Sequence, residues 1–173
     1  MYDISRTSFI IPLTVDQFDF PVQLHLALNQ IQKDEEIAKL VFEGQNGSNQ
    51  WIDFASKLES EFGCFNGAGL LDSIRNMVVG SGIQIDDFFS TPLFQVESLQ
   101  KGLKVFGTDI SDDFVAAYTY EVVSLYHLSP VTFCISYWAN DYLADSFEAN
   151  AFCVTSEEIK YLSVREWMDD SAS

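Results

Sequence analysis

The sequence predicts an α+β fold: a mostly helical single domain spanning residues 1–173, with a small antiparallel sheet in the C-terminal third. The length of 173 residues is typical of a single domain, and the apolar fraction of 47% is enough for a substantial core. Apolar residues recur at helical spacing through much of residues 21–103, whereas the segments 130–138 and 149–155 are rich in β-branched and aromatic residues.

The N-terminal segments predict one extended stretch and two helices. The run Ser8–Val15 is short, apolar and broken by Pro12, which is typical of an edge strand or an extended lead-in. A helix is expected over Pro21–Gln32, because proline is well tolerated in the first helical turn. A second helix is expected to begin at residues 34–36, whose carboxylates favour the positive end of the helix dipole.

Three further helices are expected before residue 105. The first is capped by Ser48 or Asn49 and stops at Gly63, and the second covers Leu70–Val78. The third is expected to begin at Ser90-Thr91-Pro92 and to extend through Leu103.

The last third of the chain predicts two helices and a strand pair. Ser111-Asp112-Asp113 is a good helix start, although the segment 114–128 that follows also has strand-like propensity, so helix is preferred over strand. The segments Pro130–Trp138 and Ala149–Thr155 are predicted to pair as antiparallel strands. A final helix is expected to be capped by residues 156–158 and to carry Trp167.

The charge balance is one-sided, with 9 Lys and Arg against 26 Asp and Glu and a net charge of −17. This balance argues against direct binding of nucleic acid or an anionic membrane, and it favours a cationic partner. The apolar segment 114–139 is rejected as a membrane span because it contains Glu121, His127 and Pro130 and lacks basic flanks.

The cysteines and the N-terminus predict a cytoplasmic protein. Cys64, Cys134 and Cys153 are odd in number and widely spaced, which fits free thiols in a reducing compartment better than a disulfide framework. A bridge between Cys134 and Cys153 stays open as an alternative. The first residues lack the basic and apolar regions of a signal peptide.

The segment Val105–Ile159 contains nine acidic residues, no Lys or Arg, and 11 of the chain's 25 aromatic residues. It is either a solvated acidic face beside an aromatic core or a surface that binds a basic partner, since Tyr and Trp are enriched at binding hot spots. The candidate partner-binding residues are Asp109, Asp112, Asp113, Tyr137, Trp138, Asp141, Tyr142, Asp145 and Glu148.

The sequence contains no recognisable catalytic or metal-binding motif, so we expect no enzyme, no catalytic residue, no metal and no cofactor. His25 and His127 are the two imidazoles, and neither belongs to a nucleophile motif. Gly67-Ala68-Gly69 lacks the rest of a phosphate-binding fingerprint. Asp109-Ile110-Ser111-Asp112-Asp113 lacks the glycine and the final glutamate of a calcium loop.

Small size, strong acidity, scattered cysteines and the absence of catalytic motifs together resemble the immunity proteins of bacterial contact-dependent toxin systems. The resemblance implies a cytoplasmic bacterial antitoxin that binds and neutralises a cognate toxin domain, often a basic nuclease. It is a resemblance of class, without a shared motif, so the candidate residues come from the charge argument alone. Two alternatives remain: a nucleic-acid mimic that occupies a DNA- or RNA-binding protein, and a small-ligand protein or enzyme with a concealed site.

Overall fold

The structure, a computed structural model, describes residues 4–43, 49–62, 67–138 and 147–172. Within these residues, helices pack on one side of a six-stranded antiparallel sheet, which confirms the α+β class. The strands are β1 (Ile4–Ile11), β2 (Gln95–Leu99), β3 (Gly102–Thr108), β4 (Val131–Trp138), β5 (Phe147–Val154) and β6 (Ile159–Ser163). The helices are α1 (Asp19–Gln32), α2 (Glu35–Glu43), α3 (Asn49–Phe62), α4 (Gly67–Ser81), α5 (Ile85–Ser90), α6 (Asp112–Tyr126) and α7 (Val164–Ala172), with a short 3₁₀ turn at Val15–Gln17.

The strand order is β2-β3-β1-β4-β5-β6, so the sheet also draws strands from outside the C-terminal third. The expectation that the first apolar run is an edge strand is wrong, because β1 lies between β3 and β4. Pro12 does not interrupt the pairing, since it follows Ile11, which is the last residue of β1 and pairs with Leu103. A proline just beyond a strand removes no ladder hydrogen bond.

The four helices predicted over residues 21–81 are confirmed as α1 to α4. Asp34 begins α2 as expected, because its Oδ1 accepts hydrogen bonds from the backbone N–H groups of Glu36 and Ile37, each at 3.2 Å. The apolar stripe of α1 is buried through Leu24, Leu28 and its neighbours at helical spacing. The predicted cap Ser48 and stop Gly63 lie outside the described residues.

The helix predicted over Ser90–Leu103 is wrong, since this segment follows α5 and forms the β2–β3 hairpin. Its apolar residues fit a helical period, but Leu103 and Val105 alternate with the half-buried Lys104 and Phe106 and are themselves fully buried. The turn ends at Gly102, whose φ of +143° and close approach to the Ile11 carbonyl suit glycine alone. Lys101 therefore lies in a turn and Lys104 in a strand, and neither ends a helix.

The helix preferred for the segment after Ser111 is confirmed as α6, and the two predicted strands are confirmed as β4 and β5. Ser111 caps α6, because its Oγ accepts a hydrogen bond of 3.4 Å from the Phe114 N–H. In the sheet, the Phe133 ring stacks between those of Phe9 and Phe152, with centroid distances of 4.1 and 5.1 Å. These contacts fix the register of three neighbouring strands.

The last helix begins later than predicted, because residues 156–158 form a hairpin turn that leads into β6. The Thr155 N–H donates to the Glu158 carbonyl at 2.9 Å, and the Thr155 Oγ1 accepts from the N–H groups of Glu157 and Glu158 at 3.2 and 3.0 Å. The groups expected to cap a helix thus close the β5–β6 hairpin, and α7 follows only at Val164.

The sheet has one covered side and one open side. The covered side packs against α6, whose residues Phe114, Tyr118 and Val122 are almost fully buried. On the open side, the outer face, alternate residues such as Arg6, Ser8 and Thr132 are exposed. The helical layer and the covered side of the sheet enclose one hydrophobic core.

Cys134 and Cys153 are free thiols on neighbouring strands, as predicted, and Cys64 lies outside the described residues. Among the described helices, none has the length and apolar character needed to cross a membrane.

Candidate partner-binding surface

The end of the sheet nearest the start of α6 brings several of the predicted residues together. Asp109 lies at the β3–α6 connection, and its N–H donates to the Ser5 carbonyl at 2.8 Å. Ser5 pairs with Tyr137 across β1 and β4, and Tyr137 pairs with Glu148 across β4 and β5. One row of the sheet therefore places the backbones of Asp109, Tyr137 and Glu148 at the same end.

Asn150, which the sequence did not single out, joins the polar groups at this end. Its Nδ2 donates to Asp112 Oδ2 at 3.1 Å and to the Tyr137 hydroxyl at 3.2 Å, and its Oδ1 accepts from the Tyr161 hydroxyl at 2.9 Å. One amide thus holds a carboxylate and two tyrosines from α6, β4 and β6 in a fixed arrangement. The carboxylate–tyrosine cluster consists of Asp112, Asp113, Tyr137, Glu148, Asn150 and Tyr161.

The cluster lies in a negative local potential. Burial raises the pKa of Asp112, the hydrogen bond from Asn150 partly offsets this, and the neighbouring Asp113 carboxylate adds to it. The pKa of Tyr161 is raised by partial desolvation and then by the carboxylates of Glu166, Asp112 and Asp113. Carboxylates disfavour a further negative charge at the phenol, which is why they add to the raised pKa of Tyr161.

Glu148 has a basic partner, Arg165, which lies outside the segment Val105–Ile159 that contains no Lys or Arg. Arg165 Nη1, in α7, lies 2.6 Å from Glu148 Oε1. Both side chains are at least half exposed, so the pair adds little stability, but it offsets the Glu148 charge. The negative character of the cluster therefore rests mainly on Asp112 and Asp113.

A second acidic site lies at the other end of β6. A cleft of about 450 Å³ is lined by Asn76, Gly80, Ala117, Tyr120, Glu121, Glu157, Glu158 and Ile159. Burial raises the pKa of Glu121, partly offset by hydrogen bonds from Ser73 and Asn76. Glu158 also pairs with Lys160, whose Nζ is 3.1 Å from Glu158 Oε1. Glu121, Glu157 and Glu158 all belong to the segment Val105–Ile159, which contains no basic residue. Folding brings the three together beside β6.

The remaining predicted residues are only partly covered by the structure. Asp141, Tyr142 and Asp145 lie outside the described residues, and so does the side chain of Trp138. The Trp138 backbone belongs to β4 and pairs with Ile4 and Phe147. Tyr137 is half-buried against the core as well as hydrogen-bonded in the cluster, so it serves both structural and surface roles.

Two other clefts differ in charge from the cluster. One, of about 590 Å³ between α2 and α3, carries Lys39 and Lys57 among its carboxylates, and Lys39 Nζ lies 2.7 Å from Glu35 Oε1. The other, of about 550 Å³ on the outer face, is lined by Arg6 and Lys104 and by no carboxylate. The mixed charge of the first and the positive charge of the second make both poorer sites for a basic partner.

His25 lies in the core, and the exposed His127 lies at the end of α6. His25 is buried with Nε2 2.7 Å from the Phe94 carbonyl oxygen, and burial lowers its pKa despite this hydrogen bond. His127 ends α6 with a positive φ of 49°. Among the described residues, no group of three or more His, Cys, Asp and Glu side chains is arranged to hold a metal ion.

Comparison with protein-family models, curated proteins and solved structures finds no match to this sequence or to its fold.

Proposed function

We propose that this chain is a bacterial immunity protein, acting in the cytoplasm, that binds and neutralises a basic toxin domain through the carboxylate–tyrosine cluster. The observation that carries the proposal is the position of Tyr161, which is 56% exposed and held by Asn150 beside the Asp112 and Asp113 carboxylates. Tyrosine supplies apolar contact area and a hydrogen bond, and the carboxylates supply attraction for lysine and arginine.

The distribution of charge over the molecule also favours binding of a basic partner away from the outer face. The alternation of strand residues assigns Arg6, Lys104 and Lys160 to the outer face, together with Glu97, although the whole chain has a net charge of −17. Among the described residues, the negative charge therefore lies mainly on the helical side and at the ends of the sheet. Long-range attraction would turn those regions, rather than the outer face, towards a basic partner.

A nucleic-acid mimic, the alternative binding function, needs rows of carboxylates along an elongated face. The cluster is instead compact and built around a tyrosine hydrogen-bonded to an amide. This compactness favours an inhibitor that contacts a folded basic domain.

The proposal is tested with the protein encoded directly beside this chain. We expect that neighbour to be a basic toxin domain that binds this chain stoichiometrically and loses its toxicity on binding. The double variant Asp113→Lys/Glu148→Lys should lower the association rate about tenfold at low salt and much less at moderate salt, because screening removes the long-range part of the attraction.

The matched control is Asp53→Lys/Asp72→Lys, which makes the same change in net charge at exposed positions on α3 and α4. Circular dichroism should show native secondary structure for both variants. Equal association rates for the two double variants would remove the cluster from the interface. A neighbour that is a metabolic enzyme with no affinity for this chain would contradict the proposed function itself.

A further inference from the structure

Strand β6 forms one edge of the sheet, and its outer side pairs with no other strand among the described residues. The hydrogen bond from the Thr155 N–H to the Glu158 carbonyl closes the β5–β6 hairpin and sets the alternation of the ladder. By that alternation, Ile159 and Tyr161 direct their backbone N–H and C=O groups away from β5. A row of such groups is a template for a further strand.

The side chains of this edge are unusually apolar for a solvent-exposed strand. Ile159, Tyr161 and Leu162 are 39%, 56% and 47% exposed, and Trp167 in the adjoining α7 is 57% exposed. Edge strands are commonly protected from pairing by lysine or proline. The one lysine of β6, Lys160, is engaged by Glu158 instead. By strand alternation, Ile159 and Tyr161 lie on one face of this edge and Leu162 on the other. Exposed apolar residues along an unpaired edge are typical of an interaction site.

Carboxylates flank this edge at both ends. Near one end Asn150 joins the Asp112 carboxylate to the Tyr161 hydroxyl, and at the other Glu121, Glu157 and Glu158 line the cleft shared with Ile159. The five residues of β6 span about 16 Å at the usual rise per residue. An extended segment lying along β6 would therefore place side chains near both acidic groups, where lysine or arginine would be favoured.

We infer that β6 binds a basic, extended segment of the partner protein as an additional antiparallel or parallel strand. This inference rests on the proposed function and specifies how the partner binds. A second copy of this chain is a poorer occupant, because two β6 edges would bring the same carboxylates together between chains that each carry −17. Main-chain hydrogen bonds would supply affinity, and the flanking acids would select a basic sequence.

The first experiment measures amide hydrogen exchange in the full chain with a synthetic peptide that alternates lysine and valine. Saturating peptide should slow exchange of the Ile159 and Tyr161 amides by about tenfold or more, because each gains a main-chain acceptor. A peptide of the same charge with a central proline should protect neither amide. A peptide that alternates glutamate and valine should bind far more weakly.

The second experiment compares Tyr161→Pro with Tyr161→Ala. Both variants lose the ring, but only proline removes the outward N–H, and the ladder with β5 does not use that group. Tyr161→Pro should bind the lysine–valine peptide about tenfold more weakly than Tyr161→Ala. If the proline variant does not fold, exchange in the unmodified chain decides the question alone.

The possible results separate this inference from the proposed function. Peptide binding without protection of the two amides would overturn strand addition while leaving an acidic binding surface in place. Equal protection by the glutamate–valine peptide would overturn the basic occupant, and concentration-dependent protection without peptide would assign the edge to a second copy. No binding of the lysine–valine peptide would overturn the inference. The proposed function is tested separately, by titrating this chain with the protein encoded beside it.

Discussion

His127 ends α6 with φ 49° and ψ 46°, a left-handed conformation that side chains with a Cβ adopt at a cost. Glycine is favoured at this position of a helix because it has no such penalty. His127→Gly should therefore raise the free energy of unfolding by about 0.5–1 kcal/mol in urea titrations. His127→Ala, which keeps the Cβ, should give no comparable gain. Equal stability of the glycine and alanine variants would contradict this account of the helix end.

Asp112 should make stability depend on pH. Its pKa is raised in the folded chain chiefly by burial, so the folded state binds the proton more tightly than the unfolded chain does. The stabilising contribution of the protonated group is fully present below the ordinary pKa of 3.8 and is lost as pH rises through the raised value. Asp112→Asn should show a smaller decline in unfolding free energy over that window than the unmodified chain, measured by urea titration at a series of pH values.

The exposed Asp113 supplies the control for this pH series, since Asp113→Asn should leave most of the decline in place. An unchanged decline in Asp112→Asn would show that other groups cause it. Burial also raises the pKa of Glu121, so Glu121→Gln would then be the next variant to measure in the same pH series.

At the scale of elements, the β2–β3 hairpin depends on Gly102. A Cβ at this position would collide with the Ile11 carbonyl in β1, and φ is +143°. Gly102→Ala should therefore destabilise the fold by about 2 kcal/mol or more, because both the contact and the backbone conformation are unfavourable.

Gly80 in α4 provides a matched comparison for Gly102, because a Cβ there would meet nothing within 4 Å. Gly80→Ala should stabilise the chain by up to about 1 kcal/mol through higher helix propensity. Thermal or urea unfolding of the two variants should thus change in opposite directions. A neutral Gly102→Ala would mean that the hairpin can shift away from β1 without cost.

At the scale of the whole molecule, the outer face should not participate in binding the proposed partner. Arg6→Glu/Lys104→Glu makes the chain more negative on the face with the basic cleft. Association with the basic neighbour should be unchanged or slightly faster at low salt, measured by stopped-flow fluorescence. A tenfold loss of affinity would assign the partner to the outer face and leave the carboxylate–tyrosine cluster as a solvated acidic region.

The features predicted correctly from sequence are those that depend on neighbouring residues. The apolar spacing of α1 to α4, the Ser111 cap of α6 and the β-branched runs of β4 and β5 act within a few residues, so the sequence reveals them. The concentration of acids in residues 105–159 likewise follows from composition, and it included Asp112, Glu121 and Glu158. These local features were sufficient to predict the α+β class.

The features decided by tertiary structure depend on residues far apart in the chain. The position of β1, the β2–β3 hairpin and the edge strand β6 follow from pairing and burial, which overrode the helical spacing of residues 90–103. Asn150 and Arg165 show the same dependence, since their partners lie across the sheet or on another element. The sequence determines where acids and aromatics occur, but packing decides which of them meet, because burial and hydrogen bonding act between elements brought together by folding.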